Sequence, residues 1–298
     1  AKSCTNAILK GKSHVEIRNI CVVGGGRMGR QIAMNAAVYG YGAAVYDVAP
    51  AVLEDVKKWA REYLAGRVEK GRLTQEQADA VQGRFRVEED LAKACEGADC
   101  VIEAVVEIED VKHKLFQQLD GIVGKDVILC TNSSVMVSSM FAKDVSNPSR
   151  LCNMHFYNPA LVMKFVEVVQ GPHCSDETAK AAYDFCVNTG KKPIWQKKEI
   201  PGFAGNFLIA GLTERAHYLV QNGYCTFQDV DIAMEEGFHH PMGPFHLNDL
   251  TGINLSFDLM KAQYEATGKK PDMYDVFEDL VKRGRFGRSV GHGFYDYE

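Results

Sequence analysis

From residue 18 to about residue 198, short apolar runs alternate with stretches of helical spacing. The runs ICVVG (20–24), AAVYD (43–47), DCVIEAV (99–105), VILCTN (127–132), LCNMHFY (151–157), FVEVVQ (165–170) and KPIWQ (192–196) have the length and composition of strands. Helical patterns fill gaps between them at 27–39, 51–65, 109–119 and 176–188. Thr74 and Gln77 have the spacing of a capping box and predict one more helix. Such alternation implies a mainly parallel sheet with helices on both faces. After Pro201-Gly202 the pattern changes. Phe203, Phe207, Leu208, Leu212, Ala216, Leu219 and Val220 follow helical spacing, with further helical stretches near 226–236, 245–264 and 272–283. No strand is predicted there until the last few residues. The reading is therefore a polar tail at 1–17, an α/β domain at 18–200 and an all-α domain at 201–298.

Length and composition agree with two soluble domains: 298 residues, 46% hydrophobic and 24% charged. A net charge of −5, with Lys and Arg scattered, argues against nucleic acid as a partner. No apolar run approaches the roughly 18 residues that would span a bilayer, so no membrane association is expected. The opening AKSCTNAILKGKSHVEIRN lacks the apolar stretch of a signal peptide and reads as a polar tail, with a transit-segment remnant as the alternative. Nine cysteines run from Cys4 to Cys225, and Cys21, Cys130 and Cys186 sit inside apolar runs, as buried free thiols do. There is no C-x-x-C and no Cys/His cluster, so no metal is expected, and a reducing, cytoplasmic compartment is. His239-His240, ahead of a Pro-Gly turn, reads as loop.

Residues 20–32 read ICVVGGGRMGRQI, in which Gly24, Gly26 and Gly29 form G-x-G-x-x-G. Such a turn is common by itself. Here it follows a predicted strand and opens a predicted helix, the context in which it binds a dinucleotide. The first glycine permits the turn, the second lets the backbone approach a pyrophosphate, and the third lets helix and strand pack closely. Unpaired N–H groups at the helix start then favour phosphate. Asp47, ending the second predicted strand, would accept from the ribose hydroxyls of NAD and repel the 2′-phosphate of NADP; a plain turn residue is its alternative. Arg27 and Arg30, beside the turn, either contact phosphate or face solvent. The domain is thus read as a Rossmann-type fold holding NAD.

In LCNMHFYNPALVMKFVEVV (151–169), two predicted strands flank Asn158-Pro159, with His155 on one and Glu167 on the other. Neighbouring strands could bring these side chains together. Oxidising an alcohol with NAD needs a base for the hydroxyl proton, and histidine suits that role near neutral pH. A carboxylate behind it fixes its tautomer. On spacing alone, an ordinary polar residue at a strand end is the competing reading.

The sequence resembles the L-3-hydroxyacyl-CoA dehydrogenase family along nearly all of residues 18–298. The resemblance is carried by GGGRMGRQIA (24–33), VIEAVVE (101–107), TNSSV (131–135), MHFYNPALVMKFVEVV (154–169), PGFAGN (201–206), HPMGPFHLNDLTG (240–252) and GRSVGHGFYDY (287–297). It implies reversible oxidation of an L-3-hydroxyacyl-CoA with NAD, most like the short-chain bacterial members. It also implies His155 as base, Glu167 as the carboxylate that orients it, Ser134 and Asn206 as groups on the reacting oxygen, and Asn158 as an active-site asparagine. Glu107 and Lys112 would line the nicotinamide side, and Met28 and Asn132 join the cofactor positions. Arg67, Lys70 and Arg72 stand where CoA phosphates dock, although Gly66 and Glu69 interrupt that stretch and a solvated face is the alternative. His246, Ser289 and His292 also depart from the family pattern. A homodimer through the helical domain is a further implication. Relatives on the same scaffold that oxidise carnitine, gulonate or a pyridine carboxylate keep a non-CoA substrate open, and crystallin-type relatives keep a non-catalytic protein open.

Overall fold

The structure is a computed structural model and describes residues 16–297; most of the 1–17 tail, with Cys4, lies outside the described residues. The chain divides between Ala204 and Gly205 into two compact units.

The first unit is built on one eight-stranded sheet. Its strands are β1 (Asn19–Val23), β2 (Gly42–Tyr46), β3 (Phe85–Glu88), β4 (Cys100–Glu103), β5 (Ile128–Thr131), β6 (Leu151–Phe156), β7 (Phe165–Val169) and β8 (Lys192–Gln196). The order is β3-β2-β1-β4-β5-β6-β7-β8. Every neighbouring pair is parallel except β6 and β7. The helices are α1 (Arg27–Val38), α2 (Pro50–Glu69), α3 (Gln75–Arg84), α4 (Leu91–Cys95), α5 (Glu109–Ile122) and α6 (Asp176–Asn188). This is the Rossmann-type architecture that the alternation implied.

The strands read as unbroken apolar runs because both faces are covered. Alternation then sorts their side chains. Ile20, Val22, Ile102, Cys130 and Met154 join one buried cluster with residues of α1, α2, α3 and α6. Cys21, Val23, Val101, Leu129 and Leu151 join another with residues of α4 and α5. Strand order reverses between β1 and β4, and a ligand crevice forms at the carboxyl ends of strands at such a switch point.

Three local outcomes differ from the sequence reading. The edge strand β3 was not expected, because FRVE is short and half charged, as edge strands commonly are. The expected helix at 51–65 extends to Glu69. The stretch 245–264, read as one helix, is two in the second unit, where Gly252 at φ +110° breaks it. The capping box is present: Thr74 Oγ1 accepts from the Gln77 N–H at 3.2 Å, and Gln77 Oε1 accepts from the Thr74 N–H at 2.9 Å.

The second unit is helical, comprising α7 (Phe203–Gln221), which begins two residues before it, then α8 (Phe227–Phe238), α9 (Pro244–Thr251), α10 (Ile253–Thr267) and α11 (Tyr274–Lys282). Its core gathers Ala216, Val230, Phe245, Ile253, Phe257, Met260, Phe277 and Leu280. Near its end two isolated bridges form, Gly287 with His292 and His292 with Asp296.

Candidate active site

The antiparallel step between β6 and β7 sets His155 directly opposite Glu167. Opposed residues share a sheet face, so both side chains project the same way. His155 Nδ1 lies 2.8 Å from Glu167 Oε2, with the two residues 4% and 0% exposed. A carboxylate can only accept, so the Nδ1–H donates to it, and a neutral imidazole in that arrangement presents its lone pair at Nε2. Ser134 Oγ lies 3.0 Å from that Nε2. An imidazole, a carboxylate hydrogen-bonded to its Nδ1 and a hydroxyl beside its Nε2 are therefore assembled within the first unit.

The turn after β5 frees Ser134 for this contact because its neighbour does the local work. Ser133 Oγ accepts the N–H groups of Val135 and Met136, at 3.3 and 2.8 Å, and donates to Glu107. Asn132 Oδ1 accepts the Phe156 N–H at 2.9 Å and so ties the end of β5 to the strand of His155. Asn158 is exposed in the loop beyond β6, ahead of a cis Pro159. Asn206 is half-buried in α7 and belongs to the second unit.

At the glycine-rich turn the three glycines differ as their roles require. Gly24 adopts φ +109°, and a Cβ there would meet the Ala104 carbonyl. A Cβ at Gly29 would overlap the Gly24 carbonyl oxygen. At Gly26 a Cβ would meet nothing within 4 Å, so this flank is open to a ligand. Gly26 caps α1 without a side-chain hydrogen bond, which leaves the first N–H groups of the helix for phosphate. Asp47 Oδ2 accepts from the Gly25 N–H at 2.8 Å and Oδ1 from the Ala49 N–H at 2.9 Å. It thus braces the turn as well as standing at the end of β2.

The other residues expected near the cofactor have the following surroundings. Lys112 is buried at 1% exposure. Its ammonium is held by both oxygens of buried Glu103, at 2.8 and 2.9 Å, and by Glu107 Oε2 at 2.8 Å. Three acceptors occupy its three protons, and Lys112 holds Glu107 in place. Burial pushes the Glu107 carboxyl up, but hydrogen bonds from Lys112 and Ser133 outweigh this and hold it below the usual range. Met28 packs against the core of the first unit. Arg27 is exposed, whereas Arg30 pairs with Asp55 at 2.6 Å and lies over the Trp59 ring. Arg67, Lys70 and Arg72 cluster around the C-terminal end of α2; Lys70 and Arg72 are exposed, and the Arg67 guanidinium lies over Tyr63.

Sequence reasoning missed three neighbours of the site. Glu103 could have been flagged as a lone charge in an apolar strand run, since a buried charge demands a partner. The Phe203 ring centroid lies 5.5 Å from that of His155. Tyr157 donates its hydroxyl to Glu167 Oε2 at 3.1 Å. In the second unit, His246 proves to be a local structural residue: Nδ1 lies 2.8 Å from Glu235 and 3.3 Å from Asp231, under the stacked ring of Tyr295. This trio has the spread of a metal site, but Asp231 already accepts from the N–H groups of Phe245 and His246 and from Tyr295.

Comparison with known proteins adds the following. The family model described as 3-hydroxyacyl-CoA dehydrogenase, NAD binding domain, matches residues 19–200, and the model of the C-terminal domain of the same family matches residues 202–297. A probable 3-hydroxybutyryl-CoA dehydrogenase of Bacillus subtilis is 35% identical over 95% of this chain and 99% of its own. The mitochondrial hydroxyacyl-coenzyme A dehydrogenase of Rattus norvegicus is 31% identical over 95% of this chain and 92% of its own. The crystal structure of (S)-3-hydroxybutyryl-CoA dehydrogenase from Ralstonia eutropha superposes with a TM-score of 0.84, at 31% identity, covering 95% of this chain and all of that one.

Proposed function

The chain belongs to the 3-hydroxyacyl-CoA dehydrogenase family, and on that premise we propose that it oxidises an L-3-hydroxyacyl-CoA, of short acyl chain, reversibly to the 3-oxoacyl-CoA with NAD. The observation that carries this reading is the His155–Glu167 pair with Ser134 at Nε2. The turn at 24–29 fits a dinucleotide: its open flank at Gly26 and its uncapped helix start suit a pyrophosphate, and Asp47 suits an unphosphorylated ribose. Bound there, NAD would supply the hydride chemistry at the substrate carbon.

The chain's own residues handle the proton and the charge. In oxidation His155 takes the hydroxyl proton on Nε2, and Glu167 stabilises the resulting imidazolium. In reduction the protonated ring and the Ser134 hydroxyl donate to the carbonyl oxygen as it gains negative charge. Asn206 and Asn158 keep the substrate-side roles that the resemblance implies. Glu107, held by Lys112 and Ser133, with Asn132, supports the nicotinamide side. Arg67, Lys70 and Arg72 suit the phosphates of CoA through their charge and hydrogen-bond donors. Exposed Ile232, Phe238, Leu255 and Leu259 on the helical unit suit burial against a second copy, giving a homodimer. No helix among the described residues is long and apolar enough to cross a membrane; the eight cysteines among the described residues are free thiols, seven of them buried, and suit a reducing cytoplasm.

The test follows NADH absorbance with acetoacetyl-CoA and compares it with free hydroxyacids and NAD. Rapid NADH consumption with the thioester supports the proposal. Turnover of free acids alone would overturn the CoA substrate, and cofactor binding without turnover of either would overturn the enzyme.

A further inference from the structure

We infer that Tyr157 is a positioning residue that sets how strongly Glu167 holds the catalytic imidazole. This rests on the proposed role of His155 and Glu167. Tyr157 follows β6 by one residue, and its hydroxyl reaches back to Glu167 Oε2 at 3.1 Å. That oxygen is the one facing His155 Nδ1 at 2.8 Å. Two donors therefore converge on a single carboxylate oxygen inside the protein.

The Tyr157 ring is fixed on both sides. Its centroid lies 4.8 Å from that of His155 and 5.0 Å from that of Phe165. The hydroxyl is thus aimed by packing. Burial first, and then the charge and hydrogen bond of Glu167, push the Tyr157 phenol up, so it remains a proton donor throughout the working pH range. Groups facing the pair from other elements include the Ser134 hydroxyl from the turn after β5 and the Phe203 ring. On β8 the residue opposite Glu167 is Ile194, which carries no charge. The Tyr157 hydroxyl is therefore a neutral donor that can draw charge from the carboxylate without adding a charge of its own.

The physical consequence has a sign. A hydrogen bond from Tyr157 spreads the negative charge of Oε2, so that oxygen attracts an imidazolium less strongly. Without the hydroxyl, Glu167 would hold the protonated ring more tightly. Oxidation, which needs the neutral ring, would then require a higher pH, and reduction, which needs the protonated ring, would persist to a higher pH. Both limbs move in the same direction, which a general loosening of the site would not produce.

The experiment uses Tyr157→Phe, which keeps the ring, and Phe165→Leu, which loosens the same packing but keeps the hydroxyl. Two readouts are taken on the full chain. One is the low-field proton NMR signal of the His155 Nδ1–H, which needs no turnover. The other is the pH profile of acetoacetyl-CoA reduction and of 3-hydroxybutyryl-CoA oxidation. In Tyr157→Phe the NMR signal is expected to move further downfield and both pH limbs to rise by about half a unit or more, with Phe165→Leu showing neither change. Unchanged readouts in Tyr157→Phe, or equal changes in both variants, would overturn the inference. If the parent turns over no thioester, the functional proposal fails, while the NMR comparison still decides the role of Tyr157.

Discussion

Glu167 is fully buried, yet it is acceptable there because a histidine and a tyrosine donate to it. Glu167→Gln keeps its shape and removes the charge that stabilises the imidazolium. Turnover in acetoacetyl-CoA reduction is expected to fall by about tenfold or more, while NADH affinity, read by fluorescence titration, stays within twofold; parent-like turnover would count against the proton-transfer role. A second residue governs acid stability. His217 is buried between Phe245 and Phe277, and desolvation lowers its pKa from 6.5 to about 4. As pH falls below 6.5 the unfolded chain takes up a proton that the folded chain refuses, so stability is lost until pH reaches about 4. The shift corresponds to roughly 3 kcal/mol. His217→Gln cannot ionise, so its Tm should fall less than the parent's between pH 7 and pH 4.5; parallel Tm curves would exclude this cause. The pairing of His155 with Glu167 was legible in the sequence because each sits in an apolar β run, where a polar residue stands out. The Glu103–Lys112 pair was less legible: a helix lysine nine residues from a strand glutamate looks like solvent-facing charge until the fold turns it inward.

The glycine turn separates stability from binding at the scale of one element. A Cβ at Gly29 collides with the Gly24 carbonyl, whereas one at Gly26 finds open space. Gly29→Ala should therefore lower Tm by several degrees, since overpacking costs about 1–3 kcal/mol. Gly26→Ala should keep the parent Tm and lose NAD affinity by about tenfold or more, because the methyl group takes the space through which a pyrophosphate approaches. Calorimetry and cofactor titration on the two variants check this, and the reverse pattern would refute the assignment of the turn. Apolar strands covered on both faces and the capping box of α3 were readable because burial and capping leave local marks in the sequence. The edge strand β3 was not, since it is defined by pairing with β2 and not by its own apolar content. The break at Gly252 was missed because apolar spacing continues on both sides of it.

For the whole molecule, the sheet brings together groups from three separate stretches: the turn at 24–29 with Asp47, the segment 131–135, and the β6–β7 pair. No local pattern announces this convergence. It follows from parallel pairing that places β1, β4, β5 and β6 side by side with their carboxyl ends on one edge. The assembly state is tested by sedimentation: the parent is expected to be dimeric, and a variant with Leu255→Glu and Leu259→Glu monomeric; a monomeric parent would refute the dimer. The central claim, that the imidazole at 155 carries the proton in an NAD-dependent thioester dehydrogenase, is tested most directly by one rate comparison. The measurement is NADH oxidation by His155→Gln relative to the parent, with saturating NADH and acetoacetyl-CoA. The account predicts a loss of about a hundredfold or more; a variant that matches the parent rate would contradict it.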